Sequence, residues 1–176
     1  MLHGEPWRAV TALTLHVDTV HVVSNAIATA LLLPPLVQRL GPGGAVWLVL
    51  LAGTGANLLA ATAQGFPHVA VGASTATFGA IGILAALRLW PRSGTGQPRG
   101  RRWIVPVATV LLLTMLGTGR GADVLAHALG LLSGGVLGLV AAVSRRPLAP
   151  IEWALVAAAA LTIVGCWHLA LSGTAG

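Results

Sequence analysis

Charge is what this chain lacks. Of its 176 residues only 8% are charged, ten basic and four acidic. A soluble domain carries roughly 25%, and so few charges cannot coat a water-facing surface of this size. The scarcity excludes a soluble enzyme, a disordered chain and a secreted disulfide scaffold. There is one cysteine, Cys166, so no intrachain disulfide can form. Lysine is absent, and all ten basic residues are arginines. No cleavable signal peptide is evident. The first ten residues carry Glu5, Pro6 and Arg8, and no small-residue cleavage site follows a short apolar run. A metal site is not expected either. Zinc catalysis wants three closely spaced ligands, often H-E-x-x-H on one helix, whereas the acids here are few and dispersed.

What is present is apolar. Hydrophobic residues make up 56% of the chain, and its mean hydropathy is +0.86. Charge is depleted in this way where a bilayer is the solvent. Six apolar segments run roughly 10–33, 44–63, 69–90, 103–118, 122–143 and 151–172. About 20 residues span a membrane as a helix; segment 103–118 is short and contains Pro106. The separators are rich in turn residues: Pro34-Pro35, Gly41-Pro42-Gly43-Gly44, Gln64 to Pro67, Pro91 to Arg102, Gly117 to Gly121 and Arg145 to Pro150. These features predict an all-α polytopic membrane bundle of about six transmembrane helices. The chain, 1–176, reads as a single membrane domain with no soluble domain attached and no internal repeat.

Six spans place the gaps alternately on two sides. One side holds Arg39, Arg92, Arg99, Arg101, Arg102, Arg145 and Arg146, with Arg88 just inside a helix end; the other holds Arg8 and Arg120. This asymmetry predicts a cytoplasmic Arg-rich side, with both termini on the opposite side. The tryptophans agree. Trp47, Trp90, Trp103 and Trp153 fall at cytoplasmic ends, and Trp7 and Trp167 at outer ends, as in an aromatic belt. Arginines confined to such gaps argue for membrane topology and against a nucleic-acid partner. A composition rich in Ala, Gly and Arg points to a GC-rich prokaryotic coding sequence, and hence to a prokaryotic plasma membrane.

Polar residues inside the spans mark the candidate site. The first span carries His16, Asp18, His21, Ser24 and Asn25; the third opens with Gly72-Ala73-Ser74-Thr75; the fifth carries Asp123 and His127. All fall toward the outer ends, which predicts a wet cavity open to that side. His21 and Asn25 are four apart and share a helical face. Such a cavity could run acyl transfer. Serine needs a base, usually histidine. Ser74 would sit at a helix N-terminus, where free N–H groups favour developing negative charge. Asparagine and histidine side chains can add oxyanion donors. On spacing alone, a helix-capping serine and interhelical hydrogen-bonding histidines remain open.

These residues resemble the rhomboid intramembrane serine proteases. Glu5-Pro6-Trp7-Arg8, followed by Thr11 and His16, looks like the stretch leading into that family's second helix. His21 to Asn25 is similar to its H-x-x-x-N element. Gly72 to Gly79 resembles its G-x-S motif and the helix after it, and Ala126-His127 with Gly130 and Gly134 resembles its A-H-x-x-G-x-x-x-G helix. The resemblance covers about 5–143, leaving 151–172 as an additional helix. It implies a rhomboid-like fold and a Ser–His dyad, with Ser74 as nucleophile and His127 as general base, then acid. It also implies an oxyanion and substrate-binding group of His21, Asn25, Gly72 and the Ser74 N–H. Phe78 is expected to pack on the imidazole. Substrates would be transmembrane proteins within the lipid bilayer, and no cofactor is implied.

Ala126, Gly130, Gly134 and Gly138 recur every four residues, and Gly72, Gly79 and Gly82 slim the facing segment. They predict a tight crossing that brings Ser74 to His127. Asp123, one turn before His127, reads as a cap rather than a third triad member, and Asn57 as an interhelical donor. Asp18 could partner His16 or His21, or line the cavity. Three departures from the family pattern stand out. The helix that precedes the Trp-Arg stretch has no counterpart here, so a late start or a shortened relative is expected. Thr75 stands where glycine is usual. The amino terminus would begin outside with no preceding helix. Two other classes therefore stay open: a catalytically silent relative that binds membrane proteins, and a small transporter.

Overall fold

The structure, a computed structural model, describes residues 4–64, 71–89, 123–143 and 151–172. Every regular element among them is helical. In chain order these are α1 (Arg8–Thr11), a 3-10 turn (Ala12–Thr14), α2 (Thr19–Leu40), α3 (Pro42–Gln64), α4 (Ser74–Leu89), α5 (Val124–Val143) and α6 (Glu152–Ser172). Helices α2, α3, α5 and α6 are long and apolar enough to cross a membrane, and α4 is a shorter apolar helix. The chain is a multi-pass membrane bundle. The expected segment 103–118 lies outside the described residues.

The structure corrects two boundaries. The apolar run 10–33 is not one helix. The chain turns through α1 and the 3-10 turn, goes extended at Leu15, and enters α2 only at Thr19. Asp18 sets that start: its carboxylate accepts the His21 backbone N–H at 2.7 Å, satisfying a first-turn donor that has no partner within the helix. His16 and Asp18 therefore precede the span instead of lying in it. Second, Pro34 and Pro35 do not separate helices; both lie inside α2. Neither can donate, so the Leu31 carbonyl loses both its i+3 and i+4 donors. Membrane helices tolerate this because neighbouring segments and local adjustments compensate. The break comes instead at Gly41, whose φ of 78° suits glycine. Pro42 then opens α3, at the one helical position where a missing N–H costs nothing.

Helix α4 is the hub. Its 16 residues span about 24 Å at 1.5 Å per residue, short of a hydrocarbon core of about 30 Å. It is buried on all sides from Ser74 to Leu84, packing most extensively on α5, then on α3 and α2. Glycine makes this possible. A Cβ on Gly79 would lie 2.6 Å from the Ala52 Cβ, one on Gly53 2.7 Å from the Ala76 Cβ, and one on Gly138 2.8 Å from the Ala86 Cβ. On Gly82 or Gly134 a Cβ would strike the backbone of the facing helix. The expected close crossing of α4 and α5 is present.

The two ends of the bundle differ chemically. At one end Gln64 donates to the Asp123 carboxylate at 2.8 Å, and Asp18 and Ser74 begin their helices. At the other, the Arg39 guanidinium donates to the Leu87 carbonyl at 3.0 Å, and Glu152 opens α6.

Candidate active site

Ser74 is the first residue of α4, and His127 lies one turn into α5. Their helices cross so closely that Ser74 Oγ and His127 Nε2 stand 2.8 Å apart, both residues only 4% exposed. Phe78, one turn after Ser74 on the same face, stacks on the imidazole with centroids 4.6 Å apart and planes 27° from parallel. The ring is thus held by a hydrogen bond at its edge and an aromatic plane on its face. Gly130 permits the approach: a Cβ there would meet the Thr75 carbonyl oxygen and lie 3.4 Å from the Phe78 Cβ.

For Nε2 to accept the serine proton, the ring must carry its other proton on Nδ1. That Nδ1 is buried and finds no hydrogen-bond partner among the described residues. Asp123 is engaged elsewhere. Its Oδ1 accepts the Ala126 N–H at 2.9 Å and the Gln64 amide at 2.8 Å, which makes it the cap of α5. Among the described residues Ser74 and His127 stand as a hydrogen-bonded pair.

Gly72 lies two residues before the serine. Its φ is +111°, and a Cβ on it would fall on the His21 ring. His21 therefore packs directly on the turn that delivers Ser74. His16 meets the His21 ring edge-on at 5.2 Å. Asn25, on the same face of α2 as His21, is 2% exposed, and neither of its side-chain polar atoms finds a partner among the described residues. A buried amide left without partners is costly.

Asn57, expected to be an interhelical donor, is one: it donates from α3 to the Ala9 carbonyl of α1 at 3.0 Å. Sequence reasoning missed the other contacts that tie the bundle together. The Gly72 N–H donates to the Ala12 carbonyl at 2.8 Å. Glu152, 8% exposed, accepts the Gly43 and Gly44 N–H groups at 2.6 and 3.2 Å. A buried carboxylate needs such partners, and the Gly-Pro-Gly-Gly run was the available hint. Trp47 and Trp167, expected as interfacial anchors, both donate indole N–H bonds across helices, to the Leu155 carbonyl at 2.8 Å and the Thr14 hydroxyl at 2.9 Å.

Fold and geometry together define a polytopic helical membrane protein with a serine and a histidine paired inside the bundle. A family model for the Rhomboid domain matches residues 3–144, and the chain belongs to the rhomboid family. It is 30% identical over 137 residues to a Bacillus subtilis (strain 168) protein named "Putative rhomboid protease YdcA", covering 77% of this chain and 67% of that protein. It is 32% identical over 130 residues to Toxoplasma gondii "Rhomboid-like protease 3", covering 73% of this chain and 49% of that protein. This chain thus aligns with only part of the length of each. No solved structure matches it significantly.

Proposed function

We propose that this protein is an intramembrane serine endopeptidase that cleaves transmembrane proteins in or beside their membrane segment. The observation that carries the reading is the 2.8 Å approach of Ser74 Oγ to His127 Nε2 in a buried site, in a chain of the rhomboid family. Ser74 attacks the scissile carbonyl while His127 takes its proton, then returns it to the leaving amine. The negative charge that develops on the carbonyl oxygen meets the Ser74 N–H at the start of α4, with donors from His21 and Asn25. Asn25 supports this role because its amide is buried without a partner among the described residues. Phe78 fixes the imidazole plane, and Gly72 and Gly130 let the parts meet. The dyad needs no cofactor.

The whole chain, 1–176, acts as one domain in this reading. The site faces the non-cytoplasmic side of a plasma membrane. Support for that orientation comes from Arg39 and Arg88, which lie at the end of the bundle opposite Ser74. A substrate must present an extended segment there, because a helical peptide bond is shielded by its own hydrogen bonding.

The test is cleavage of a single-pass transmembrane protein in proteoliposomes. The unmutated chain should cut it. Ser74→Ala and His127→Ala should each lose about 10³-fold or more. A correctly folded unmutated chain that cleaves nothing, and whose Ser74 resists a fluorophosphonate, refutes the protease reading. It would leave a relative that binds membrane proteins without cutting them.

A further inference from the structure

Helix α6 lies beyond the span matched by the family model, yet it is tied to the site through hydrogen bonds. We infer that α6 is a positioning clamp: through Trp167 it holds the turn at 8–14, and through that turn the segment 71–73 that presents Ser74.

The chain of contacts is continuous. The Trp167 indole N–H donates to the Thr14 hydroxyl at 2.9 Å, and that hydroxyl donates in turn to the Thr11 carbonyl at 2.8 Å. The hydroxyl thus works as acceptor and donor at once, which locks the 3-10 turn on α1. One residue inside this turn, the Ala12 carbonyl accepts the Gly72 N–H at 2.8 Å. Gly72 is two residues before Ser74, sits at a φ that only glycine adopts freely, and backs onto the His21 ring. Asn57 fixes the same block from α3 through the Ala9 carbonyl.

Packing alone does not explain where α6 sits. Only Glu152 and Ala159 of this helix are buried. In a bilayer, apolar contact between helices brings no hydrophobic gain over contact with lipid. Close approach locates its first turn, where a Cβ on Gly43 would lie 2.6 Å from both the Glu152 carbonyl oxygen and the Leu155 Cβ; apart from that approach, polar contacts are what locate it. At the far end these are Glu152 on the first N–H groups of α3 and the Trp47 indole on the Leu155 carbonyl. At the near end it is Trp167 on Thr14. A helix pinned at both ends to α3 and to the 8–14 turn fixes one against the other. Interfacial anchoring is the competing account of Trp167. It gives Thr14 no role.

The measurement is hydrogen exchange at the Gly72 amide in the full chain, in wild type, Trp167→Phe, Thr14→Val, Thr14→Ser and the Trp167→Phe/Thr14→Val double variant. Alongside it runs the rate at which a fluorophosphonate labels Ser74. Gly72 exchange should rise about fivefold in Trp167→Phe, the factor one net hydrogen bond is worth, and at least as much in Thr14→Val, which also removes the hydroxyl's bond to the Thr11 carbonyl. It should rise no further in the double variant than in Thr14→Val and stay near wild type in Thr14→Ser. Exchange within α3 should not move. Labelling should slow by a similar factor. Unchanged Gly72 exchange in Trp167→Phe overturns the clamp, as does a double variant whose effect is the product of the two single ones. The labelling rate rests on the protease reading, but the exchange does not. Wild type that is never labelled, with Gly72 responding as stated, would sink the hydrolase and leave the clamp standing.

Discussion

Gly130→Ala is the smallest change that should separate Ser74 from His127. The added methyl has nowhere to go. Its carbon would meet the Thr75 carbonyl oxygen, with the Thr75 carbonyl carbon at 3.3 Å and the Phe78 Cβ at 3.4 Å. Backbone cannot rotate aside as a flexible side chain can. Restoring ordinary van der Waals contact requires α4 and α5 to part by roughly 1 Å. A shift of that size takes the 2.8 Å Ser74–His127 pair beyond hydrogen-bond range. A misplacement of about 1 Å costs on the order of 10²-fold in rate. Overpacking itself should cost about 1–3 kcal/mol of stability, which a bundle of this size can survive. The assay is proteoliposome cleavage at saturating substrate, with thermal unfolding in detergent as the check on folding. The expected result is a fall of about 10²-fold in kcat with KM little changed. Gly135→Ala is the control: a Cβ there meets nothing within 4 Å, so activity should stay within about twofold of wild type. A folded Gly130→Ala chain with full activity would refute the claim that this contact sets the dyad distance.

Two further outcomes follow from the polar contacts. Asp123→Asn keeps a good helix cap and should leave kcat within about threefold of wild type, whereas loss of a true third triad member costs about 10⁴-fold; steady-state kinetics decides. Glu152→Gln weakens two N–H bonds to a buried carboxylate at the start of α3. It should lower stability by about 1–3 kcal/mol, seen as a lower unfolding temperature, while fluorophosphonate labelling of Ser74 per folded molecule stays close to wild type.

The close crossing of α4 and α5 was legible because glycines every four residues are a local pattern. The pairing of Ser74 with His127 was not legible from spacing, which left a capping serine and hydrogen-bonding histidines open; it came from the resemblance to the rhomboid family. The start of α2 was harder to read. Hydropathy averages over Leu15 to Asp18 and sees one run, but a single carboxylate at Asp18 capping His21 decides where the helix begins. Pro34-Pro35 misled in the opposite direction. A rule taken from soluble helices treats paired prolines as a break, yet in a membrane the helix continues through them. Least legible were the contacts of α6. Trp167 and Thr14 are 153 residues apart, and Trp47 bonds a backbone carbonyl. A carbonyl acceptor leaves no trace in residue identity, so nothing in the sequence distinguishes that indole from a lipid-facing one.

The site also indicates how geometry is specified where hydrophobicity cannot do it. Lipid chains solvate leucine as well as another helix does, so apolar surface does not by itself choose a crossing angle or a register. Two kinds of contact remain, and this chain divides them by helix. Around α4 the choice is made by close approach: Gly53, Gly79, Gly82, Gly130, Gly134 and Gly138 each admit a facing backbone or methyl that any side chain would exclude. Such contacts are short-ranged and intolerant, which is what a 2.8 Å pair requires. Around α6, where little is buried, close approach is confined to Gly41 and Gly43 against its first turn, and the rest of the choice is made by a few directional hydrogen bonds from Glu152, Trp47 and Trp167. These weigh little individually but fix orientation. The dyad stands where the two schemes meet. Its histidine comes from the glycine-set crossing of α4 and α5, while the turn before its serine is held by the hydrogen-bonded block that α6 secures.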